Sequence, residues 1–149
     1  MDKTEGEFIV AQTPFDETGA VDLGSIDTLV DFYADHGANG FTVLGVSGEA
    51  GKLHHNEALQ VAERYIKRAG SLPVVVGVSN ASLAQLTDLY ARVMALGAAG
   101  VMIAPPAGIQ TDEELHGYFA EVFRRNRGVP TVLQAFPFAS KVAMSVPGI

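Results

Sequence analysis

Short apolar segments and longer segments with a helical repeat alternate along the whole chain. The apolar segments are rich in Val, Ile, Phe and Leu, and they lack a polar face. The predicted strands are Phe8–Gln12, Gly40–Leu44, Pro73–Val78, Gly100–Ala104 and Pro130–Gln134. Strands without a polar face are typical of a parallel sheet covered by helices, so the alternation predicts an α/β fold with strands buried on both faces.

Apolar residues recur every three or four positions between these strands, which indicates helices that each bury one face. The predicted helices are Leu23–His36, His55–Ala69 and Leu83–Leu96, and a fourth helix follows Thr111. Thr111 is suited to begin that helix as its N-cap, because Glu114 lies three residues later and completes a capping box.

One segment occurs twice in similar form, sixty residues apart. Gly37 to Gly45 reads Gly-Ala-Asn-Gly-Phe-Thr-Val-Leu-Gly, and Gly97 to Pro105 reads Gly-Ala-Ala-Gly-Val-Met-Ile-Ala-Pro. In each copy we expect the glycine pair to end one helix and to turn the chain into the next strand. The spacing corresponds to two β/α units of about thirty residues each.

The length of the chain limits the architecture that these units can form. A closed eightfold β/α barrel takes about 250 residues, and this chain has 149. We predict a single α/β domain over residues 1–149 that forms an incomplete (β/α)8 barrel of TIM type with about five strands. It is part of a longer protein, an open five-stranded fold, or a sheet completed by another chain. Residues 135–149 lack a helical repeat and are predicted to form a loop or irregular tail.

Charge and composition argue against several classes of partner and cofactor. The net charge of −7 repels phosphate backbones, so we expect no nucleic-acid partner. Cysteine is absent, which excludes disulfides and thiolate metal sites. No histidine or carboxylate spacing suits a metal, and we expect neither metal nor cofactor. The start of the chain is acidic and no apolar run is long enough for a bilayer, so we expect no membrane partner and a cytoplasmic location.

The loop after the second predicted strand carries the most specific motif. Gly45 to Glu57 reads Gly-Val-Ser-Gly-Glu-Ala-Gly-Lys-Leu-His-His-Asn-Glu, at the carboxyl edge of the sheet where α/β proteins bind ligands. This segment fits the pattern Gly-x-x-Gly-Glu-x-x-x-Leu-x-x-x-Glu. It resembles the signature loop of the dihydrodipicolinate synthase and N-acetylneuraminate lyase family, and the resemblance extends over about residues 8–137.

The resemblance implies a class I lyase or aldolase that acts on pyruvate or another 2-oxo acid. Its Schiff-base lysine would lie on a sixth strand, which is absent from this chain. The implied substrate-binding residues are Val46, Ser47 and Gly48 in the signature loop and Gln134 at the end of the fifth strand. The Ser47 hydroxyl and neighbouring amides would bind a carboxylate. Glu49 is expected to accept an internal hydrogen bond that ties down the loop.

Several residues differ from the family's usual pattern. Gln134 replaces the tyrosine that shuttles protons, and its amide does not titrate near neutral pH. Val46 replaces a threonine of the hydroxyl relay, and Ala139 replaces the carboxylate-binding arginine of the synthases. None of the four lysines lies inside an apolar strand that would lower its pKa. We therefore assign no catalytic residue within this chain.

The leading interpretation is part of a lyase-like barrel that acts on a 2-oxo acid, with a substrate different from that of the synthases. The alternative is a non-catalytic half-barrel that self-associates or binds a small carboxylate at Ser47. An open flavodoxin-like domain has the same order of elements, but Thr13-Pro14-Phe15 stands where that fold has a phosphate-binding loop. The expected partners are a small 2-oxo acid and further copies of the chain in a homo-oligomer.

Overall fold

The structure of the chain, a computed structural model, describes residues 5–145. The strands are β1 (Phe8–Val10), β2 (Gly40–Val43), β3 (Val74–Gly77), β4 (Gly100–Ile103) and β5 (Thr131–Leu133). The helices are α1 (Leu23–Asp35), α2 (His55–Ala69), α3 (Leu83–Ala95), α4 (Asp112–Arg125) and α5 (Pro137–Ser140). None of the helices in this described part is long and apolar enough to cross a membrane.

The strands form one parallel sheet in which their order in space follows their order in the chain. A helix connects each strand to the next. Within residues 5–145, β1 and β5 each pair with one strand only, so the sheet is open. Sequential parallel pairing is the arrangement of successive strands in a (β/α)8 barrel. The predicted five-stranded parallel α/β fold is thus confirmed.

The strand ends and the burial of the outer strands differ from the prediction. Each strand is one or two residues shorter than predicted, because the residues next to it already belong to loops. β3 and β4 are buried throughout. In the outer strands, however, Val10 is 50% exposed and Val132 is 38% exposed. The prediction of strands buried on both faces is therefore wrong for β1 and β5, which have a neighbouring strand on one side only.

The main core lies between the helices and one face of the sheet. Phe41 of β2, Val76 of β3 and Ile103 of β4 are fully buried and belong to one apolar cluster. Tyr65 of α2 and Leu86 of α3 belong to the same cluster and are equally buried. The amphipathic helices therefore cover the sheet as their apolar repeat predicts.

The residues that alternate with this core form the inner face of the sheet, the face that a closed barrel would enclose. It comprises Val10, Thr42, Val75, Met102 and Val132, which are joined in strand register as Val10–Thr42–Val75 and Met102–Val132. Val75 and Met102 are buried but lie outside the main apolar cluster, as expected for residues on the opposite face.

Both copies of the repeated segment form the same helix end. Gly37 and Gly97 adopt φ values of 90° and 99°, which favour glycine. The equivalent hydrogen bonds are Gly37 N–H to Ala34 O (3.1 Å), Ala38 N–H to Tyr33 O (3.0 Å), Gly97 N–H to Met94 O (3.1 Å) and Ala98 N–H to Val93 O (3.0 Å). This pair of bonds is a Schellman motif, so the predicted role of the first glycine is confirmed in each copy.

The second glycine of each copy begins a strand at a point of close backbone contact. A Cβ atom on Gly40 would lie 2.8 Å from the carbonyl oxygen of Pro73, and one on Gly100 would lie 2.8 Å from that of Pro130. The residue after each glycine donates its N–H to the same proline carbonyl, at 2.9 Å and 3.0 Å. Only glycine allows this approach without a shift of the neighbouring strand.

Reciprocal caps begin two of the helices. The amide of Glu114 donates to Thr111 Oγ1 at 3.2 Å, and the amide of Thr111 donates to Glu114 Oε2 at 3.3 Å, which confirms the predicted capping box of α4. At α2 the amide of His54 donates to Glu57 Oε2 at 2.8 Å, and the amide of Asn56 donates to His54 Nδ1 at 3.2 Å. The final glutamate of the signature motif therefore fixes the start of α2.

The segment after β5 is more ordered than predicted. Pro137–Ser140 forms one helical turn, for which proline is suited because the first helical position needs no N–H donor. Val142 is 2% exposed and joins the core, and Ser145 Oγ donates to Asp112 Oδ2 at 2.6 Å. The prediction of an irregular tail over 135–149 is corrected at these residues. Residues 146–149 lie outside the described part of the chain.

Candidate functional site

A cavity of about 480 Å³ opens at the carboxyl edge of the sheet. The segments that follow β2, β3, β4 and β5 form its walls. Side chains on these walls include Val46, Ser79, Met102, Pro105, Gln134 and Phe136. Barrels of this type bind their substrates at the same edge, so the cavity is the candidate site.

The loop between β2 and α2 leaves the sheet through an unusual backbone turn. Leu44 has a φ of 56°, a left-handed conformation that non-glycine residues rarely adopt. Its carbonyl oxygen would lie 2.2 Å from a Cβ atom on Gly77, so the turn fits against β3 only where that strand has glycine. The turn brings Gly45 and Val46 into the cavity wall. Such backbone strain is common at functional sites.

Hydrogen bonds attach this loop and helix α2 to the segment after β1. Thr13 Oγ1 donates to the carbonyl oxygen of Gly48 at 2.6 Å, and Tyr65 Oη donates to that of Gln12 at 2.6 Å. Burial raises the pKa of the Tyr65 phenol, which therefore stays a neutral donor. A Cβ atom on Gly48 would lie 3.2 Å from the carbonyl oxygen of Ala11. Gly48 thus packs the loop against the residue that follows β1.

Glu49 accepts a hydrogen bond within the loop, as predicted. Its Oε2 accepts from the ammonium of Lys52, three residues later, and the two side chains are 75% (Lys52) and 39% (Glu49) exposed. A second restraint on the loop is buried, because Thr13 Oγ1 donates to the carbonyl oxygen of Gly48. Glu49 and Lys52 are the charged residues of the described cavity wall, and their charges cancel.

The structure brings two of the four predicted site residues together at the cavity. Val46 and Gln134 line it, whereas Ser47 and Gly48 do not. The Ser47 side chain is exposed and makes no hydrogen bond to another residue within 5–145. The main-chain N–H of Gln134 donates to the carbonyl oxygen of Ile103 at 2.9 Å, which holds this residue at the end of β5. Ligand contact by these four residues stays a prediction.

Ser79 is a cavity residue that the sequence analysis missed. It follows β3, and its Oγ accepts a hydrogen bond from the Ala104 amide at 2.8 Å. This bond joins the carboxyl ends of β3 and β4. The available signal was a serine directly after the third apolar strand, at the edge where barrels bind substrates.

The described lysines have little access to the cavity. Lys52 reaches the rim but pairs with Glu49, and Lys67 pairs with Glu63 on the surface of α2. Lys141 follows α5 and does not line the cavity, and Lys3 lies outside the described residues. In residues 5–145 no group of three or more His, Asp or Glu side chains is placed to hold a metal ion.

The sequential parallel sheet and the cavity at its carboxyl edge define the chain as part of a (β/α)8 barrel. Residues 3–149 match the Dihydrodipicolinate synthetase family. The chain belongs to this family of aldolase-like lyases, and the resemblance carried by the signature loop is thereby confirmed.

Several curated relatives are synthases of about twice the length of this chain. The 4-hydroxy-tetrahydrodipicolinate synthase of Laribacter hongkongensis is 31% identical over 134 residues, which cover 89% of this chain and 46% of the relative. The enzyme of the same name from Bradyrhizobium diazoefficiens is 30% identical over 146 residues, which cover 97% of this chain and 49% of the relative. The chain therefore spans about half the length of these relatives.

Solved structures of dihydrodipicolinate synthases also match this chain over about half of their own length. The dihydrodipicolinate synthase of Rhodopseudomonas palustris superposes with a TM-score of 0.90 at 48% identity, over 96% of this chain and 48% of that one. The chloride-inhibited dihydrodipicolinate synthase of Acinetobacter baumannii, which was solved with pyruvate bound, gives a TM-score of 0.91 at 25% identity. That match covers 98% of this chain and 50% of the other. The predicted partial TIM-type barrel is confirmed by these superpositions.

Proposed function

We propose that this chain forms one wall of a 2-oxo acid site in a lyase of the dihydrodipicolinate synthase type. In this proposal the protein that contains the chain forms a Schiff base with the substrate, and none of the chain's four lysines is the imine-forming residue. The observation that carries the proposal is the cavity at the carboxyl edge, whose wall includes the family's signature loop. The Acinetobacter baumannii relative, which binds pyruvate, supports a 2-oxo acid as the ligand.

The residues of the wall favour binding and positioning over proton transfer. Gln134 stands where the family has its tyrosine, and an amide donates and accepts hydrogen bonds without titrating. Val46 offers an apolar surface where the family has a hydroxyl. A substrate whose reaction needs proton transfer by that tyrosine and that hydroxyl would react poorly here. We therefore propose a 2-oxo acid different from the substrate of the synthases.

A second candidate function is a non-catalytic half-barrel that binds a small carboxylate. The ion pair between Lys52 and Glu49 favours it, because the one cation on the described cavity wall is already neutralised and exposed. A nucleophilic lysine needs burial to lower its pKa. The homo-oligomeric state and the cytoplasmic location stay predictions under either function.

Binding and trapping experiments with pyruvate test the proposal. We expect saturable binding of pyruvate to the purified chain by ligand-observed NMR, because the cavity wall is present. Borohydride added to the complex should leave the intact mass unchanged, because none of the lysines within residues 5–145 is placed to form an imine. A failure of pyruvate and larger 2-oxo acids to bind would refute the proposed function. A stoichiometric adduct on Lys52 or Lys141 would instead make this chain an aldolase in its own right.

A further inference from the structure

A histidine side chain caps the helix that follows the signature loop. The amide of Asn56 donates to His54 Nδ1 at 3.2 Å, and the amide of His54 donates to Glu57 Oε2 at 2.8 Å. Helices usually begin with serine, threonine, aspartate or asparagine, whose oxygens accept this hydrogen bond throughout the neutral range of pH. An imidazole accepts it only while uncharged, and histidine gains its proton between pH 5 and pH 8. The start of α2 therefore depends on a group that titrates near neutral pH.

We propose that protonation of His54 opens the first turn of α2 and releases the end of the signature loop. Nδ1 is the accepting atom, so the neutral ring carries its proton on Nε2. A second proton gives both ring nitrogens an N–H and leaves no acceptor for the Asn56 amide. It also places a positive charge at the end of the helix where the dipole favours negative charge. Both effects weaken the cap as the pH falls.

The next residue responds to acid in the opposite direction. His55 Nε2 lies 2.8 Å from Asp88 Oδ2, and Arg92 Nε lies 2.9 Å from the same oxygen. A protonated His55 binds the Asp88 carboxylate more strongly than a neutral one, because the hydrogen bond then joins opposite charges. This contact keeps α2 attached to α3 while the cap is lost. The opening is thus confined to the first turn of the helix.

The surrounding charges do not reverse the effect on His54. On the neighbouring segments they are Glu49 and Lys52 in the loop, Asp88 and Arg92 on α3, and Asp16 and Glu17 between β1 and α1 at the same edge of the sheet. The loop pair and the α3 pair are each joined as ion pairs. Glu57 attracts an imidazolium within the first turn, but attraction between exposed charges is weak. A proton on Nδ1 removes the capping bond outright.

The turn that opens adjoins the cavity wall. Ala50, Gly51 and Lys52 line the cavity, and Leu53 connects them to His54. Leu53 packs against the apolar core and so holds the loop from the other side. Loss of the cap leaves this contact as the anchor of the loop end, which makes the position of the wall depend on pH. This response needs no ligand and goes beyond the proposed function.

The cap of α4 provides a control within the same chain. The Glu114 amide donates to Thr111 Oγ1 at 3.2 Å, and Glu114 Oε2 accepts the Thr111 amide at 3.3 Å. The two caps share their arrangement and differ in the accepting group, which is a hydroxyl in α4 and an imidazole in α2. Between pH 7.5 and pH 5.5 a hydroxyl does not titrate, and carboxylates with an ordinary pKa of about 4 stay ionised. The α4 cap should therefore be unaffected.

Amide hydrogen exchange measured by NMR at pH 7.5 and pH 5.5 tests the proposal. Protection factors, which correct for the intrinsic effect of pH on exchange, should fall at Asn56 by about fivefold or more, the size of a typical N-cap. They should stay constant at Glu114 and at Val61, a buried residue in the middle of α2. An equal fall at Asn56 and Val61 would mean that acid opens the whole helix, and it would overturn the local opening.

Two variants separate the role of His54 from other effects of acid. His54→Thr gives α2 the accepting group of α4 and should make the Asn56 protection equal at the two pH values. His116→Gln removes an exposed histidine of α4 that makes no side-chain hydrogen bond within residues 5–145, and it should leave the fall at Asn56 unchanged. A fall that persists in His54→Thr, or one that disappears in His116→Gln, overturns the proposal.

The ring of His54 can also be observed directly. Long-range ¹H–¹⁵N correlation spectra of the parent chain at pH 7.5 should show its proton on Nε2 and none on Nδ1. A proton on Nδ1 at this pH, or constant protection of Asn56 between the two pH values, contradicts the cap as the site of the response. If His54→Thr fails to fold, as judged by circular dichroism, these two measurements on the parent chain decide the question.

Discussion

At the scale of single residues, the cavity depends on two kinds of position. At one kind only glycine fits, and at the other the backbone adopts a strained conformation. Leu44 and Glu49 both have a φ of 56°, at the two ends of the turn that shapes the rim. Gly77 accommodates the Leu44 carbonyl, and Gly48 accommodates the Ala11 carbonyl. Contacts with β3 and with the residue after β1 therefore hold this strained loop in place.

The substitution Gly77→Ala should destabilise the chain and distort the cavity rim. Its Cβ would lie 2.2 Å from the Leu44 carbonyl oxygen, so the loop or β3 must move, at a cost of about 1–3 kcal/mol in the free energy of unfolding. Urea denaturation measures the effect. Gly117→Ala is the control, because no atom lies within 4 Å of its Cβ in α4 and the change should stabilise that helix by about 0.5–1 kcal/mol. Equal stabilities for the two variants would contradict this close contact.

At the scale of elements, local signals explain why the helices were predicted better than the site. The predicted α2 agrees with the structure at both ends, and the Thr111 cap of α4 was predicted correctly, because these caps involve residues three positions apart. The pairing of Glu49 with Lys52 and the bond from Ala104 to Ser79 escaped prediction. Glu49 lies in a left-handed turn that the sequence analysis did not predict, and the bond from Ala104 to Ser79 joins residues 25 positions apart. Neither the turn nor the packing of β3 beside β4 is encoded in a local pattern.

Two ion pairs between α1 and α2 should make the stability of this helix pair sensitive to acid. Arg64 donates to Asp27 at 2.7 Å, and Arg68 pairs with Asp31. These hydrogen bonds hold the pKa of each carboxyl below its ordinary value. A lowered folded-state pKa adds stability above the unfolded value of about 4, and this stability is lost as the pH falls through the folded-state pKa. The double variant Asp27→Asn, Asp31→Asn should therefore lose less stability than the parent chain between pH 6 and pH 3.

Urea denaturation across this pH range measures the difference, since urea does not screen charges. Glu63→Gln is the control, because it removes an ion pair with Lys67 that lies within α2 and joins no other helix. If the double variant and the parent chain lost stability in parallel, the two ion pairs would contribute nothing to the docking of α1 on α2.

At the scale of the whole molecule, the open sheet leaves apolar surface that a closed barrel would enclose. Val10 and Val132 of the inner face are 50% and 38% exposed, and they lie on the two outer strands. Outer strands with unpaired backbone groups and exposed apolar side chains favour association with another chain.

We expect the purified chain to associate in a concentration-dependent manner. Light scattering coupled to size-exclusion chromatography should show a mass above 15.7 kDa that rises with the loaded concentration. Val10→Lys and Val132→Lys place a charge on the inner face and should shift the chain toward a monomer. Phe32→Lys changes a side chain of α1 that is 53% exposed and serves as the control. A cooperatively unfolding monomer at every concentration would contradict this expectation.

The glycines at the start of β2 and β4 have an effect on the far end of the sheet. Gly40 and Gly100 lie against the carbonyls of Pro73 and Pro130, and the next residue in each strand donates its N–H to the same carbonyl, so this contact helps to fix the register of each strand against its neighbour. The cavity wall at Ala104 lies four residues beyond Gly100, about 13 Å along the strand. Residues at the opposite edge of the sheet, which do not line the cavity, therefore help to align the strand ends that form its wall. The same contact occurs at Gly40 and, two β/α units later, at Gly100, so β2 and β4 are each aligned in this way against the next strand.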